Sequence, residues 1–246
     1  MSVVVAGGTR GIGLELAAAL TNPGEPVVVG FGSDTRSAAD ACLRLSAAGL
    51  APVAVQADMG SVDGANELIA AAAALGEPIR VLVHSTVRVV PGRLTEISDS
   101  DLAHTLAVNA TSLLWLTRAA LPHLVRGSSI LYLTSRGSRS VVSGYGTVGP
   151  PKSYGEGLVR YLAVELAASG IRINALAPGT QDTKALREVF GDQTDAVIQA
   201  HLAKNPSGRL VEPADYTAMA RFLVSADASM VTGQTNFVYG GADLLG

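Results

Sequence analysis

Residues Gly7–Gly13 read GGTRGIG and come directly after the short apolar run Ser2–Ala6. Beyond the glycines, Ile12, Leu16 and Leu20 recur with helical spacing. Glycines at such a junction permit a tight turn and let backbone N–H groups approach a pyrophosphate, whose negative charge the helix N-terminus favours. The strand before this stretch and the helix after it indicate dinucleotide binding rather than a purely structural turn. The stretch therefore predicts an α/β fold that binds a nucleotide.

Short runs rich in β-branched residues alternate with helical patterns along the whole chain. These runs are Ser2–Ala6, Pro26–Phe31, Pro52–Gln56, Ile79–His84, Ser129–Thr134, Ile171–Ala177 and Thr235–Tyr239. Such alternation is typical of βαβ units, which form a parallel sheet covered by helices on both faces. No repeat or linker divides the 246 residues, so the sequence predicts one domain over residues 1–246.

Composition excludes several classes of protein. Apolar residues make up 48% of the chain, but no uninterrupted apolar run reaches the roughly 18 residues that cross a bilayer. A net charge of −3 with scattered basic residues gives no footprint for nucleic acid. The single cysteine, Cys42, excludes an intramolecular disulfide and a cysteine-cluster metal site. The N-terminal run leads straight into the glycine turn, so we interpret it as a strand and not a signal peptide. We expect a cytoplasmic protein that acts on small molecules, with no metal, membrane or nucleic-acid partner.

The spacing Gly7-xxx-Gly11-x-Gly13 resembles the short-chain dehydrogenase/reductase family, and the resemblance runs the full length of the chain. Its further landmarks, in order, are Asp58, Asn109, Ser135, Lys152, Pro178-Gly179 with Thr183, and Tyr239-Gly240-Gly241. The resemblance implies a doubly wound Rossmann-type domain, with a seven-stranded parallel sheet and helices on both faces. It also implies a nicotinamide cofactor in the cleft and a homo-oligomer, a tetramer or a dimer.

The resemblance also assigns roles to single positions. Asp58 matches the aspartate that contacts adenine, Asn109 the active-site asparagine, and Ser135 the serine that closes the fifth strand. Lys152 matches the lysine that bonds the nicotinamide ribose. The predicted cofactor-binding residues are Gly7, Thr9, Arg10, Gly11, Ile12, Gly13, Ser33, Asp58, Met59, His84, Ser85, Lys152, Pro178, Gly179 and Thr183.

The end of the second strand, Gly30–Ser33, carries no acidic residue. An acidic side chain there would accept the ribose hydroxyls of NAD and repel a 2′-phosphate. Arg10, with Ser33 or Arg36, is placed to meet such a phosphate instead. The alternatives are a solvated turn arginine and a charge on a helix surface, and Asp34 is an opposing charge nearby. We expect NADPH in preference to NADH.

The chain departs from the family at the end of the fourth strand. His84-Ser85-Thr86-Val87 replaces the family's Asn-Asn-Ala-Gly. A histidine titrates near neutral pH, which invites a catalytic role for His84. We favour a structural role, because the matching family position is an asparagine that binds neighbouring strands. Val87 replaces a glycine that leaves room near the cofactor, so the backbone or the ribose must shift.

A second departure lies in the family's Tyr-xxx-Lys motif. Val148 stands four residues before Lys152, so no hydroxyl occupies the usual place. Tyr154 points to a different helical face. Tyr145 stands seven residues before the lysine, and Pro150-Pro151 is comfortable only near a helix start. Tyr145 is therefore predicted in the loop just before the helix.

The spacing Tyr145-xxxxxx-Lys152 resembles the enoyl-acyl-carrier-protein reductases of this family. In ketone reduction, hydride adds to the carbon that bears the oxygen. In reduction of an α,β-unsaturated thioester, hydride adds at C3 while negative charge collects on the thioester oxygen, two carbons away. A phenol displaced into the loop suits that longer distance. The predicted function is NADPH-dependent reduction of an enoyl thioester in fatty acid or polyketide biosynthesis, on a carrier protein or coenzyme A.

In this interpretation four residues form the catalytic set. Tyr145 bonds the developing enolate oxygen, and the charge of Lys152 favours the reaction. Ser135 assists or orients the pocket, and Asn109 supports a proton path to Lys152 through a water or a backbone group. Two alternatives stay open: a carbonyl reductase of the same family, and a nicotinamide-binding protein without turnover. Retention of Lys152, Ser135 and Asn109 argues against decay of the site.

Two surface features extend the predicted site. Arg88, Arg136 and Arg139 lie on loops that should rim the cleft, where they would meet a pantetheine phosphate or remain ordinary exposed arginines. The segment 180–206 is polar and mixed in pattern. It follows a turn at the carboxyl end of a strand, where ligands bind in such sheets, so we predict a substrate lid rather than ordinary surface helices.

Overall fold

One parallel sheet of seven strands organises the computed structural model, which describes residues 1–242 except for the side chains of residues 184, 185 and 189. The strands are β1 Ser2–Ala6, β2 Pro26–Phe31, β3 Ala51–Gln56, β4 Ile79–His84, β5 Leu124–Leu133, β6 Arg172–Pro178 and β7 Thr235–Val238. Their order across the sheet is β3-β2-β1-β4-β5-β6-β7. The predicted fold is confirmed. The order reverses between β1 and β4, and ligands bind at such a switch point, outside the carboxyl ends of the strands.

The helices cover both faces of the sheet. They are α1 Gly11–Leu20, α2 Thr35–Ala47, α3 Val62–Ala73, α4 Asp99–Leu106, α5 Ser112–Ala120, α6 Gly149–Ala167, α7 Lys184–Phe190, α8 Thr194–Lys204 and α9 Pro213–Val224. Side chains of α3, α5 and α6 pack into the core on one face, and those of α1, α2 and α9 into the core on the other. Ala107–Thr111 forms a π-helical turn between α4 and α5. Such turns are frequent at functional sites.

The strand sequences explain the two cores. In β1, Val4 faces one core while Val3 and Val5 face the other, because successive side chains of a strand point to opposite faces. All five residues of this strand are buried. The near-continuous apolar runs of the sequence are thus the signature of strands buried on both faces.

Four of the seven strands have bounds that differ from the sequence prediction. β3 begins one residue early, at Ala51, and β6 runs from Arg172 to Pro178, one residue later at each end. β5 begins at Leu124, five residues before the predicted start. Its pairing with β4 is irregular at this end, since Leu124 pairs with Ile79 whereas Ser129 pairs with Val81. Gly127 adopts a positive φ of 93° inside this polar stretch. A search for runs of β-branched residues therefore does not recognise the first part of this strand. β7 ends at Val238, one residue early.

The segment predicted as a lid forms two helices, α7 and α8, joined by a 3₁₀ turn at Gly191–Gln193. Among the described residues, no helix combines the length and the apolar character needed to span a bilayer.

Candidate active site

The carboxyl ends of the strands open into a cleft of about 690 Å³, a size typical of small-molecule sites. Every predicted cofactor-binding residue lines this cleft except His84. Of the predicted catalytic set, Tyr145, Lys152 and Ser135 line it, while Asn109 is buried behind it. Residues separated by more than 170 positions in the sequence are therefore brought together, from Gly7 to Thr183.

The glycine turn at the start of α1 is shaped for close approach of a ligand. Gly7 has a φ of +78°, and a Cβ on Gly13 would collide with the Gly7 carbonyl oxygen. A Cβ on Gly11 would meet no protein atom within 4 Å. Arg10 precedes α1 without capping it by its side chain, whereas Asp34, Ser61 and Ser98 do cap α2, α3 and α4. The first N–H groups of α1 are thus left for an anion in the cleft, which fits the pyrophosphate of a dinucleotide.

The adenosine end of the cleft carries a mixed charge pattern. Arg10 is 45% exposed, and its Nη1 lies 3.6 Å from Asp34 Oδ2. The Asp34 carboxylate also accepts hydrogen bonds from Ser37 N at 3.0 Å and Ser37 Oγ at 2.9 Å. Asp34 thus serves as the N-cap of α2, which gives the opposing charge a structural reason. Arg36 is exposed and does not line the cleft.

Asp58 and Met59 line the same end. Asp58 Oδ1 accepts a hydrogen bond from Gly60 N at 2.8 Å, which fixes the turn after β3. The predicted adenine-binding end of the cleft is therefore lined by the turn that follows β3.

His84 lies beneath the cleft and has no exposed atoms. Its Nε2 is 2.7 Å from Ser112 Oγ and 3.1 Å from Thr86 Oγ1. Burial, followed by the charge of Lys152, lowers the pKa of His84 to about 3. A neutral ring between β4 and α5 agrees with a structural role, and burial keeps it from the predicted cofactor contact. Val87 does line the cleft, as expected for a residue near the cofactor.

Tyr145 lies in the loop before α6, with its ring on the wall of the cleft. Its carbonyl oxygen accepts hydrogen bonds from Val148 N at 3.0 Å and Gly149 N at 2.8 Å, so the loop is held as a turn. The ring packs on Gly137, where an added Cβ would lie 2.6 Å from the ring. Val148 is fully buried and does not line the cleft. The phenol in this part of the cleft therefore comes from the loop and not from α6.

Tyr145 and Ser135 form the polar centre of this wall. Burial raises the pKa of the Tyr145 phenol above its ordinary value, and the nearby Ser135 hydroxyl opposes part of that rise. The phenol thus stays protonated at neutral pH and can donate a hydrogen bond. Ser135 Oγ is buried beside this phenol and makes no other hydrogen bond within the part of the chain that the structure describes. A buried hydroxyl in this state is available to a ligand oxygen.

Lys152 and Asn109 join the cleft to the interior. Lys152 is 4% exposed, and burial lowers its pKa to about 7. Its Nζ lies 3.5 Å from the Asn109 carbonyl oxygen. The Asn109 side chain is fully engaged elsewhere: Oδ1 accepts from Arg88 N at 2.7 Å, and Nδ2 donates to the carbonyls of Arg88 and Thr147. The side chain therefore ties two loops together, and only the backbone carbonyl of Asn109 reaches Lys152.

Two buried residues next to this site were not predicted from the sequence. Tyr132 donates from its hydroxyl to the Asn109 carbonyl at 2.7 Å. Glu156 accepts from Thr134 Oγ1 at 2.8 Å and from Ser138 Oγ at 2.6 Å, which holds the loop that carries Ser135. In the sequence, Tyr132 is one more aromatic residue in an apolar strand. One feature of the sequence is consistent with the position of Tyr132. Gly155 on α6 has no side chain and so leaves room for the Tyr132 ring.

The three predicted rim arginines have different surroundings. Arg88 lines the cleft and lies 3.4 Å from Asp101. Arg136 also lines it, and its backbone N–H donates to the Tyr239 hydroxyl. Arg139 does not line the cleft. Its guanidinium lies 4.5 Å from the centre of the Phe237 ring, and its Nε lies 3.6 Å from the Glu156 carboxylate. Arg88 and Arg136 therefore remain candidates for a phosphate contact.

Helices α7 and α8 contribute to the outer wall of the cleft. Their lining residues are Leu186, Glu188, Phe190 and His201. His201 Nδ1 lies 3.0 Å from Thr180 Oγ1, on the turn that follows β6. This contact joins the helix pair to the strand end beside the cofactor residues.

Comparisons with known proteins identify relatives along the full chain. The model of a family described as enoyl-(acyl carrier protein) reductase matches residues 6–243. Dehydrogenase/reductase SDR family member 4 from Oryctolagus cuniculus is 31% identical, over 97% of this chain and 92% of that protein. An actinorhodin polyketide ketoreductase variant with NADPH is 29% identical, with a TM-score of 0.88 over 98% of this chain and 96% of that chain. A short chain dehydrogenase from Burkholderia cenocepacia J2315 in complex with NADP is 26% identical, with a TM-score of 0.86 over 98% of this chain and 97% of that chain.

The two solved structures share this fold, and both hold a nicotinamide dinucleotide. The glycine turn, the uncapped N-terminus of α1 and the buried lysine fit such a cofactor in this chain. The chain is an oxidoreductase and belongs to the short-chain dehydrogenase/reductase family.

Proposed function

We propose that the protein reduces the carbon–carbon double bond of an α,β-unsaturated thioester with NADPH. The observation that carries this proposal is the position of the phenol: Tyr145 reaches the cleft from the loop before α6, while Val148 is buried and offers no hydroxyl. The matching family model, described as enoyl-(acyl carrier protein) reductase, supports the same reaction.

In enoyl reduction, the carbon that receives the hydride and the oxygen that becomes negatively charged lie apart. When bound, the reduced nicotinamide supplies a hydride, which adds to C3 of the enoyl thioester. Tyr145 donates a hydrogen bond to the thioester oxygen, on which negative charge develops, two carbons from C3. A donor aimed at developing charge in a partly dry site stabilises the transition state strongly. The raised pKa of Tyr145 keeps the proton on the phenol until that charge appears.

Lys152 and Ser135 support this step. The Lys152 side chain lies in the same cleft, where its amine would hold the nicotinamide ribose and add positive charge near the thioester oxygen. Ser135 Oγ, buried and close to the Tyr145 ring, orients the phenol or the thioester oxygen. The proton that C2 finally receives comes from Tyr145 or from water, and the Lys152–Asn109 contact offers a route for its replacement.

NADPH is the preferred cofactor in this proposal. Arg10 is the cation at the adenosine end of the cleft wall, beside Ser33. Among the described residues, its guanidinium makes a long contact of 3.6 Å to Asp34, whose carboxylate also accepts from Ser37. A 2′-phosphate offers Arg10 a stronger, charge-assisted partner.

The substrate class follows from the outer wall. Leu186 and Phe190 present apolar side chains to the cleft, which suit an acyl chain. Arg88 and Arg136 supply positive charge at its rim, which suits the phosphate of a pantetheine arm on a carrier protein or coenzyme A. We propose α7 and α8 as the lid of this substrate. We also expect a homo-oligomer in the cytoplasm; Tyr161 and Val164 on α6, 75% and 79% exposed, offer an apolar surface for a second copy.

Reduction of a ketone is the second candidate. The Ser135 hydroxyl lies next to the Tyr145 phenol and has no further partner among the described residues, and two hydroxyl donors around one oxygen suit a carbonyl substrate. The likeness to an actinorhodin polyketide ketoreductase favours the same reaction. In that case the Tyr145 hydroxyl must bond the oxygen that is attached directly to the carbon receiving the hydride.

Oxidation of NADPH with crotonyl and acetoacetyl thioesters, measured side by side, separates the two reactions. We expect turnover of the crotonyl thioester, and a loss of about a hundredfold or more in kcat for Tyr145→Phe, since proton donors contribute that much. Tyr154→Phe is the control, because Tyr154 is 45% exposed on α6 and does not line the cleft. Turnover of the acetoacetyl thioester alone would refute enoyl reduction and support the ketone.

A further inference from the structure

A second tyrosine lies directly beneath the cleft. Tyr132 on β5 is fully buried, and its hydroxyl donates to the Asn109 carbonyl at 2.7 Å. The Lys152 Nζ approaches the same carbonyl at 3.5 Å and lies 4.8 Å from the centre of the Tyr132 ring. One carbonyl is thus shared by a phenol and an amine, and the ring of that phenol faces the amine.

The surroundings fix the ring in this orientation. A Cβ on Gly155 of α6 would collide with the outer end of the Tyr132 ring. Tyr132 pairs with His84 across β4 and β5, and the two ring centres are 5.2 Å apart with their planes tilted by 50°. The ring is therefore enclosed by α6 on one side and by His84 on another, and it cannot turn away from Lys152.

We propose that Tyr132 is a positioning residue, which holds the Lys152 side chain toward the cleft. The inference rests on the proposed role of Lys152 as the group that binds the nicotinamide ribose. The ring attracts the ammonium form, as aromatic faces attract cations. The hydroxyl occupies the Asn109 carbonyl at the shorter distance, so Lys152 keeps only a long contact there and its remaining N–H groups stay free for the cleft.

The ring and the hydroxyl act on the charge of Lys152 in opposite directions. The ring stabilises the ammonium form of Lys152. The hydroxyl occupies the Asn109 carbonyl oxygen, which would otherwise accept from the ammonium and stabilise the same form. Other titratable groups around Lys152 are His84 from β4, Tyr145 from the loop before α6, and Glu156 one turn along α6. None of these three groups is itself altered by a substitution at Tyr132, so the variants differ from the wild type only at that side chain.

The test is a direct titration of Lys152 in Tyr132→Phe and Tyr132→Leu. The chain contains three lysines, Lys152, Lys184 and Lys204. Lysine labelled with ¹³C at Cε therefore gives three NMR signals, and Lys152→Met identifies the one of interest. Burial lowers the pKa of Lys152 to about 7, so its titration falls in an accessible pH range.

We expect Tyr132→Phe to raise the Lys152 pKa by about half a pH unit, because the ring stays and the carbonyl becomes free. Tyr132→Leu should lower it by a similar amount, because the ring is lost. Tyr161→Phe, at an exposed tyrosine of α6, should leave it unchanged. If Tyr132→Leu does not fold, Tyr132→Phe decides alone: a rise supports the proposal, and no rise overturns it.

Two further readouts separate this inference from a merely structural role. The pH limb of kcat that reports Lys152 should move with the titration in each variant, while the KM for the thioester stays within about twofold. Equal Lys152 pKa values in all proteins, or shifts in the same direction for both variants, would overturn the proposal. The titration uses protein without cofactor and does not depend on turnover. If the wild-type protein reduces neither thioester, that result contradicts the proposed function but leaves the role of Tyr132 to be decided by the titration.

Discussion

Val148 and Tyr145 stand three residues apart, yet the Val148 side chain is fully buried and Tyr145 lies on the wall of the cleft. The difference comes from the turn closed by the Tyr145 carbonyl, which accepts from Val148 N and Gly149 N and so starts α6. A phenol placed before this turn approaches the cleft from a different direction than one on the helix. The position of a single hydroxyl thus favours an oxygen that lies away from the carbon receiving the hydride.

At the residue scale, Arg10 tests the choice of cofactor. We expect Arg10→Gln to raise the KM for NADPH by about tenfold, because a charge-assisted hydrogen bond to the 2′-phosphate is lost. The KM for NADH should change by less than about twofold, since NADH carries no such phosphate. Steady-state kinetics with both cofactors measure the difference.

Arg36→Gln is the matched control for this prediction. Arg36 is exposed and lies outside the cleft wall, so its loss should leave both KM values unchanged. An equal rise in the two KM values for Arg10→Gln would instead assign Arg10 to the pyrophosphate, which both cofactors share.

At the scale of elements, Tyr145 near the end of the β5–α6 connection depends on a glycine near the start of the same connection. Gly137 follows β5, and a Cβ there would lie 2.6 Å from the Tyr145 ring. Gly137→Ala should therefore move the ring, at a cost of about 1–3 kcal/mol in stability from overpacking. We expect kcat to fall by about tenfold or more while NADPH affinity, measured by fluorescence titration, is retained.

Gly157→Ala provides the comparison for this change. Gly157 is a half-buried residue of α6, and its added methyl would meet the exposed Arg160 at 3.8 Å, an ordinary contact distance. Activity and stability should stay close to those of the wild type. Full kcat in Gly137→Ala would show that the ring does not need this close approach.

The elements themselves were largely predictable from the sequence. β1, β2 and β4 have the predicted bounds, because β-branched runs buried on both faces leave a clear pattern. The start of β5 was not predictable, since Arg126-Gly127-Ser128 is polar and bends. The loop position of Tyr145 was predictable from Pro150-Pro151, because these prolines lie in the first turn of α6.

At the scale of the whole molecule, two buried bases link the fold to pH. The His84 pKa is lowered to about 3 and the Lys152 pKa to about 7. The unfolded chain binds each proton at a higher pH than the folded protein does, so both groups make stability rise with pH. His84 contributes between about pH 3 and 6.5, and Lys152 between about pH 7 and 10.5.

The free energy of unfolding should therefore increase between pH 7 and pH 9. The increase due to Lys152 is at most about 1.4 kcal/mol per pH unit, the value for one proton. We expect Lys152→Met to remove this slope and Lys204→Met, at an exposed lysine, to keep it. Urea denaturation across this range measures both. A slope that survives in Lys152→Met would assign it to another group.

The site was less predictable than the fold, for a physical reason. Side chains that face the cofactor follow strand ends and turns, and their positions follow from the sheet topology, as for Gly7, Ser135 and Pro178. Contacts behind the cleft depend on packing between β5 and α6, which no local pattern encodes. The contacts of Tyr132 and Glu156 depend on such packing, and so does the burial of His84.

We expect the protein to deliver hydride to C3 of an enoyl thioester. The most direct test of this expectation uses NADPH that carries deuterium at C4 of the nicotinamide, on either face, with crotonyl and acetoacetyl thioesters together. Mass spectrometry and NMR of the products locate the label. We predict a saturated butyryl thioester with deuterium at C3 and no labelled hydroxy product. Deuterium on the hydroxyl-bearing carbon of a hydroxybutyryl thioester, with the crotonyl thioester left intact, would contradict the claim.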